Sequence, residues 1–142
     1  MNLKDCKRGW FLGNFEPSIY KTDKFEVGIR FDKKGMKETR HYHKLVTEYI
    51  AHMGGKYLVD GVEYGDGDLM IIRPYQSADY ECLEDGYVVV VKEPSIPTDK
   101  FQGDVLNVVV LMAGKSTRFW SSLKPLVDIE GKTMIERVIE NI

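Results

Sequence analysis

The sequence has no long hydrophobic run. Its longest uninterrupted apolar stretch, Val108 to Ala113, covers six residues, against the ~20 that a membrane-spanning helix requires. The first residues, Met1-Asn2-Leu3-Lys4-Asp5, are not followed by the apolar core of a secretion signal. Charge of one sign is also lacking. Residues 1–102 hold 15 basic and 17 acidic side chains and residues 103–142 hold five of each, so neither part has the basic surplus of a nucleic-acid binder. Cysteine is scarce: Cys6 and Cys82 are the only two. Without a secretion signal they are expected to be reduced thiols of a cytoplasmic protein rather than a disulfide. No internal repeat and no low-complexity tract is present. What remains is 142 residues, 43% hydrophobic and 30% charged, enough for one small globular domain and a further segment.

Two segments differ in periodicity. From residue 10 to 92 the chain reads as short strands between turns. Phe25 to Phe31 alternates apolar and polar residues, the period of a half-buried strand. Glu48 to Met53, Lys56 to Val59, Asp68 to Ile72 and Tyr87 to Lys92 are further strand-like runs. Gly54-Gly55, Asp60-Gly61 and Gly65-Asp66-Gly67 supply turn chemistry between them. Such spacing predicts an all-β sandwich or barrel over residues 1–102. Residues 93–104, with Pro94 and Pro97 and no period, are expected to be a linker. Leu106 to Met112 is nearly continuous in apolar residues, as in a strand buried on both faces. Thr133 to Ile142 places Met134, Ile135, Val138, Ile139 and Ile142 at helical spacing, with Thr133 a candidate N-cap.

All three histidines fall within twelve residues. His41 and His43 are two apart and share one side of a strand, and Glu48 follows after a short turn. Two imidazoles and a carboxylate make a competent site for a divalent transition metal such as Mn, Fe, Ni or Zn. A lone His-x-His is weak, since alternating histidines often face solvent. The longer frame is more specific: Gly35, five residues, His41-x-His43, four residues, Glu48, six residues, Gly55. In this frame the sequence resembles the cupins at every fixed position of their first motif. The resemblance implies a jelly-roll barrel with the metal held by His41, His43 and Glu48. The second cupin motif is incomplete. Aligned from Gly67-Asp68, it meets Arg73 in place of a proline, Tyr75 in place of a glycine, Ala78 in place of the third metal-binding histidine and Cys82 in place of an asparagine. Gln76 or Asp79 is the expected replacement ligand. The alternative is a barrel that has lost its metal and only binds. His52 lies about 13 Å along the strand from Glu48, at ~3.3 Å per residue, and is a poor substitute.

After the apolar strand comes Ala113-Gly114-Lys115-Ser116-Thr117-Arg118, then Lys124-Pro125 and Gly131-Lys132-Thr133. Small residues let a loop backbone approach phosphates, Ser116 and Thr117 offer hydroxyls, and Lys115, Arg118 and Lys124 place three cations with no acid among them. This order of strand, loop, Lys-Pro and helix resembles the opening of the sugar nucleotidyltransferases, with Ser116 at a position where that family often has glycine. The resemblance covers about 38 residues of a much longer domain. It implies a vestigial nucleotide site in a β-loop-α fragment over 105–142, with magnesium relevant only to a complete domain. Such a fragment is not expected to catalyse nucleotidyl transfer, because the metal ligands and acceptor pocket lie later in that family.

Together these readings predict a mainly β protein: a barrel that binds a sugar or phosphorylated metabolite in polysaccharide or modified-sugar biosynthesis, or serves assembly. Tyr42, Tyr49, Tyr75, Gln76, Asp79 and Tyr80 are the candidate pocket lining. The alternative is a metal-dependent isomerase, epimerase or oxygenase using His41, His43 and Glu48. Burial of the apolar strand and helix of the second segment favours a homodimer.

Overall fold

The computed structural model describes residues 2–105, 128–129 and 131–140, and the chain divides into one unit over Met1–Leu106 and another over Asn107–Ile142. The first unit is built from ten strands: β1 (Trp10–Leu12), β2 (Glu26–Asp32), β3 (Lys37–Tyr42), β4 (Thr47–Met53), β5 (Lys56–Val59), β6 (Val62–Tyr64), β7 (Leu69–Ile72), β8 (Ala78–Glu84), β9 (Gly86–Glu93) and β10 (Phe101–Gln102). They form two five-stranded antiparallel sheets, in the orders β1-β2-β9-β4-β7 and β10-β3-β8-β5-β6.

The alternation along each strand decides what the sheets enclose. Val59, Tyr57, Ala78, Tyr80 and Cys82 from one sheet meet Met70, Ile72 and Val88 from the other in a continuous buried cluster. Tyr57 is fully buried, with its ring 4.7 Å from His52 and 5.5 Å from Tyr80. Gly55, the last fixed glycine of the first motif, has a positive φ of 76°, and a Cβ there would lie 2.6 Å from the Glu84 carbonyl oxygen. Only glycine tolerates both that conformation and that approach. Cys6 and Cys82 are buried free thiols.

The structure adds a strand to these expectations and corrects one of them. β8 was not among the strand-like runs, although Ala78, Tyr80 and Cys82 alternate with Asp79 and Glu81 in the expected way. Residues 93–104 are more than a linker. Phe101 and Gln102 pair with Tyr42 and His41 as an edge strand, and Asp99 is buried.

In the second unit, β11 (Asp128–Ile129) and β12 (Lys132–Thr133) form an antiparallel hairpin around Gly131, whose φ is 80°. The helix α1 (Met134–Ile139) follows. Thr133 caps it as expected: the Glu136 N–H donates to the Thr133 hydroxyl at 3.3 Å, and the Thr133 N–H donates back to the Glu136 carboxylate at 2.7 Å, a reciprocal capping box. The apolar strand expected over 106–112 and the loop Ala113, Gly114, Lys115, Ser116, Thr117, Arg118 with Lys124 lie outside the described residues. Among the described residues no helix is long and apolar enough to cross a membrane.

Candidate metal centre

β3 and β4 bring the three residues of the first motif together at one end of the barrel interior. A bulge in the β3–β8 pairing, between Glu38 and His41, changes which side chains face inward. Glu38 and His41 therefore both line the interior despite their odd spacing. One ligand atom each from His41, His43 and Glu48 lies within 4.8 Å of the others. His43 and Glu48 are buried at 3% and 6% exposure, so their polar atoms must find partners inside the protein.

Those partners fix the imidazoles. His41 Nδ1 lies 3.0 Å from the Thr39 carbonyl oxygen, and His43 Nδ1 contacts the Asp99 carbonyl oxygen. A carbonyl only accepts, so each Nδ1 carries a hydrogen, and Nε2 is the ring atom left for a partner in the cavity. Burial pushes the His41 pKa below its ordinary value, which keeps the ring neutral. Asp99 is itself clamped. Its carboxylate accepts N–H bonds from Lys44, Leu45 and Val46 at 2.9–3.1 Å. Burial acts against ionisation of this carboxylate, but the three donors outweigh it and lower its pKa. The loop after β3 is thus tied to the segment before β10.

Glu48 Oε1 stands 3.2 Å from His43 Nε2. A cation lies beside this pair. Lys92 supplies it, with Nζ 2.7 Å from Glu48 Oε1 and 3.5 Å from His43 Nε2. Burial would raise the Glu48 pKa, but the contacts with His43 and Lys92 prevail and hold it at about 2. Lys92 was not anticipated from sequence. On the same inner face, Glu26 is buried and accepts a hydrogen bond from the Ser95 hydroxyl at 3.1 Å; burial raises its pKa. Along the same cavity Arg30 binds Asp32 and Glu38, the exposed Lys100 donates to Glu38 at 2.9 Å, and the Tyr80 hydroxyl donates to Asp32.

The expected pocket lining divides. Tyr80 lines the interior and is buried. Tyr42 and Tyr49 do not, because each neighbours an inward residue and so points the other way. Tyr42 stacks on Phe101, and Tyr49 is exposed. Tyr75 is exposed in a turn with φ 61°. Gln76 is also exposed, and its side-chain oxygen accepts the Arg73 N–H. Asp79 borders the cavity, but its carboxylate accepts the Asp60 N–H and pairs with Arg40 at 3.5 Å. Neither Gln76 nor Asp79 therefore stands in for the missing histidine. That position, Ala78, is directly paired with His41 and presents only a methyl group to the cavity. His52 is fully buried and stacks on Tyr64 at 5.2 Å, apart from the cluster.

No family model matches the sequence, and no curated protein matches it. Solved structures do match. An uncharacterized conserved protein with a double-stranded β-helix domain from Klebsiella pneumoniae is 16% identical, with 67% of this chain and 84% of that chain covered and a TM-score of 0.53. The DMSP lyase DddQ from Ruegeria pomeroyi is 15% identical over 62% of this chain and 47% of that one, also at 0.53. An oxalate decarboxylase variant from Bacillus subtilis is 20% identical over 57% of this chain and 24% of that one, at 0.51. These likenesses show the fold, a double-stranded β-helix.

Proposed function

We propose that the barrel is a small-molecule binding module whose pocket is completed by a divalent transition metal on His41, His43 and Glu48. The observation that carries this reading is the pair of Nδ1 hydrogens spent on carbonyl oxygens, which leaves both Nε2 atoms to serve as ligands beside one carboxylate. Neutral imidazoles oriented by a second hydrogen bond, beside an anionic oxygen, are the donor set that Mn, Fe, Ni or Zn accepts. When bound, such an ion supplies Lewis acidity toward an oxygen of the ligand. Around it, Arg30, Lys100 and Tyr80 give the cavity cationic and hydroxyl groups suited to a sugar or phosphorylated metabolite, while Met70, Ile72 and Val88 make its apolar wall. The resemblance of residues 105–142 to sugar nucleotidyltransferases supports the same substrate class and a place in polysaccharide or modified-sugar biosynthesis. Stoichiometric Mn, Fe, Ni or Zn in the purified protein, lost in a folded His43→Ala variant, is the expected result. No metal after incubation with all four would leave a binding barrel without one.

A second reading, a metal-dependent isomerase, epimerase or oxygenase, is favoured by Ala78. With methyl in place of a fourth ligand, coordination positions stay open for a substrate. Turnover of a sugar phosphate by the metal-loaded protein, absent in Glu48→Gln, is the measurement that separates it from binding alone.

We also propose a homodimer through the outer face of the sheet β1-β2-β9-β4-β7. In register across that face run Phe31, Tyr87 and Met53; then Ile29, Val89, Ala51 and Leu69; then Val27, Val91, Tyr49 and Ile71. Every one is apolar or aromatic, and Phe31, Tyr87, Met53, Leu69, Tyr49 and Ile71 are exposed. A continuous patch of this kind on a small domain marks an interaction surface.

A further inference from the structure

Among the described residues, the cation in contact with the candidate metal ligands is a lysine of the barrel itself. Lys92 sits on β9 between two inward carboxylates, paired in register with Glu48 of β4 on one side and Glu26 of β2 on the other. Its side chain is 13% exposed, and its ammonium contacts both Glu48 and His43. A partly buried lysine beside two carboxylates and an imidazole is in its place for charge, since burying it alone would be costly.

We propose that Lys92 is a positioning residue, the built-in cation of the site: it holds His43 and Glu48 together while no metal is bound, and competes with a metal for Glu48. This inference rests on the metal reading above. The geometry sets the exchange. An ion coordinated by His43 Nε2 and Glu48 would need the carboxylate oxygen and the lone pair that Lys92 now engages. Two cations that close repel strongly inside a protein, so the ammonium has to move away. Its four-carbon stem is flexible, and Glu26 is the acceptor on its other side. Glu26 is thereby the second position of the lysine, occupied when metal takes Glu48. A metal then binds without leaving the ammonium unpaired, and the empty site keeps a cation beside its carboxylate.

The test uses the full chain, stripped of metal, titrated with Zn(II) alone against a chromophoric chelator. Lys92→Met removes the competitor and is expected to bind Zn(II) about tenfold more tightly than wild type. Lys92→Arg keeps the charge and stays close to wild type. Glu26→Gln denies the lysine its second position and weakens binding several-fold. In excess chelator Lys92→Met melts below wild type, and saturating Zn(II) restores it to or above the wild-type value. A merely structural lysine would lower the melting temperature but would not raise metal affinity. Equal or weaker Zn(II) binding by Lys92→Met overturns the competition while leaving the metal reading intact. If Lys92→Met does not fold, unchanged affinity in Glu26→Gln overturns it instead. Absence of Zn(II) binding in wild type and every variant removes the metal reading and this inference together.

Discussion

The two faces of the sheet β1-β2-β9-β4-β7 invert the usual distribution of side chains. Its inner face carries Glu26, Arg30, Asp32, Glu48, His52 and Lys92, all buried or partly buried. Its outer face carries Phe31, Tyr49, Met53, Leu69, Ile71 and Tyr87, all exposed. A small domain stabilised only by its interior would reverse this, because charges are costly to bury and apolar surface gains from burial. The difference shows that the interior is divided. One end, around Tyr57, Cys82 and Val88, is a packed core; the other holds charges in pairs, Glu48 with Lys92 and Glu38 with Lys100. The apolar surface that a filled interior would have used is displayed outside.

The largest expected effect tests the packed end. Tyr57→Ala removes a fully buried ring that touches His52 and Tyr80, and should cost ~3–5 kcal/mol in denaturant unfolding. A loss comparable to that of an outer-face residue would break the distinction between the faces. Next is the outer face. Leu69→Glu and Ile71→Glu should convert the proposed dimer to a monomer by light scattering, with little loss in the stability of each barrel. A wild type that is monomeric at micromolar concentration would show that this face serves some other purpose.

Acid sharpens the comparison further. Burial favours the neutral form of Glu38, yet Arg30 and Lys100 outweigh it and lower its pKa from 4.5 to about 2. A carboxylate with a depressed folded pKa stabilises the native state above its unfolded value, and that contribution is lost as pH falls from about 4.5 through 2. Glu48 acts in the same direction. Melting temperature should therefore fall steeply over this window, and less steeply in Glu38→Gln, which cannot gain the proton. An identical slope in the variant would remove Glu38 from the account. The smallest effect is expected at Gln76→Ala: an exposed side chain that makes one local bond should change stability by no more than about 0.5 kcal/mol and leave metal uptake unaltered.

How much of this the sequence revealed depended on distance along the chain. The spacing from Gly35 through Glu48 to Gly55 located the three candidate ligands, because a strand, a turn and a strand are local and alternate with period two. The same period excludes Tyr42 and Tyr49 from the cavity, since each adjoins an inward residue; choosing them by aromatic character ignored parity. Lys92 was missed because its partner Glu48 is 44 residues away and only the β4–β9 register joins them. A signal was present all the same. Val88, Val90 and Lys92 share one face, and a lysine closing an inward apolar series calls for a buried acid. Asp99 was read as part of a proline-containing linker, and no local pattern indicates that its carboxylate would cap a loop more than fifty residues earlier.

That cap has a consequence for the order in which the site comes into being. His43 is oriented by the main-chain carbonyl of Asp99, and β10 completes the edge beside His41. A ribosome delivers both histidines and Glu48 well before it delivers the segment that aims one of them. A nascent barrel whose chain has reached only β9 holds all three donors without the fixed tautomer at His43, so the centre matures with the last stretch of the barrel to be synthesised.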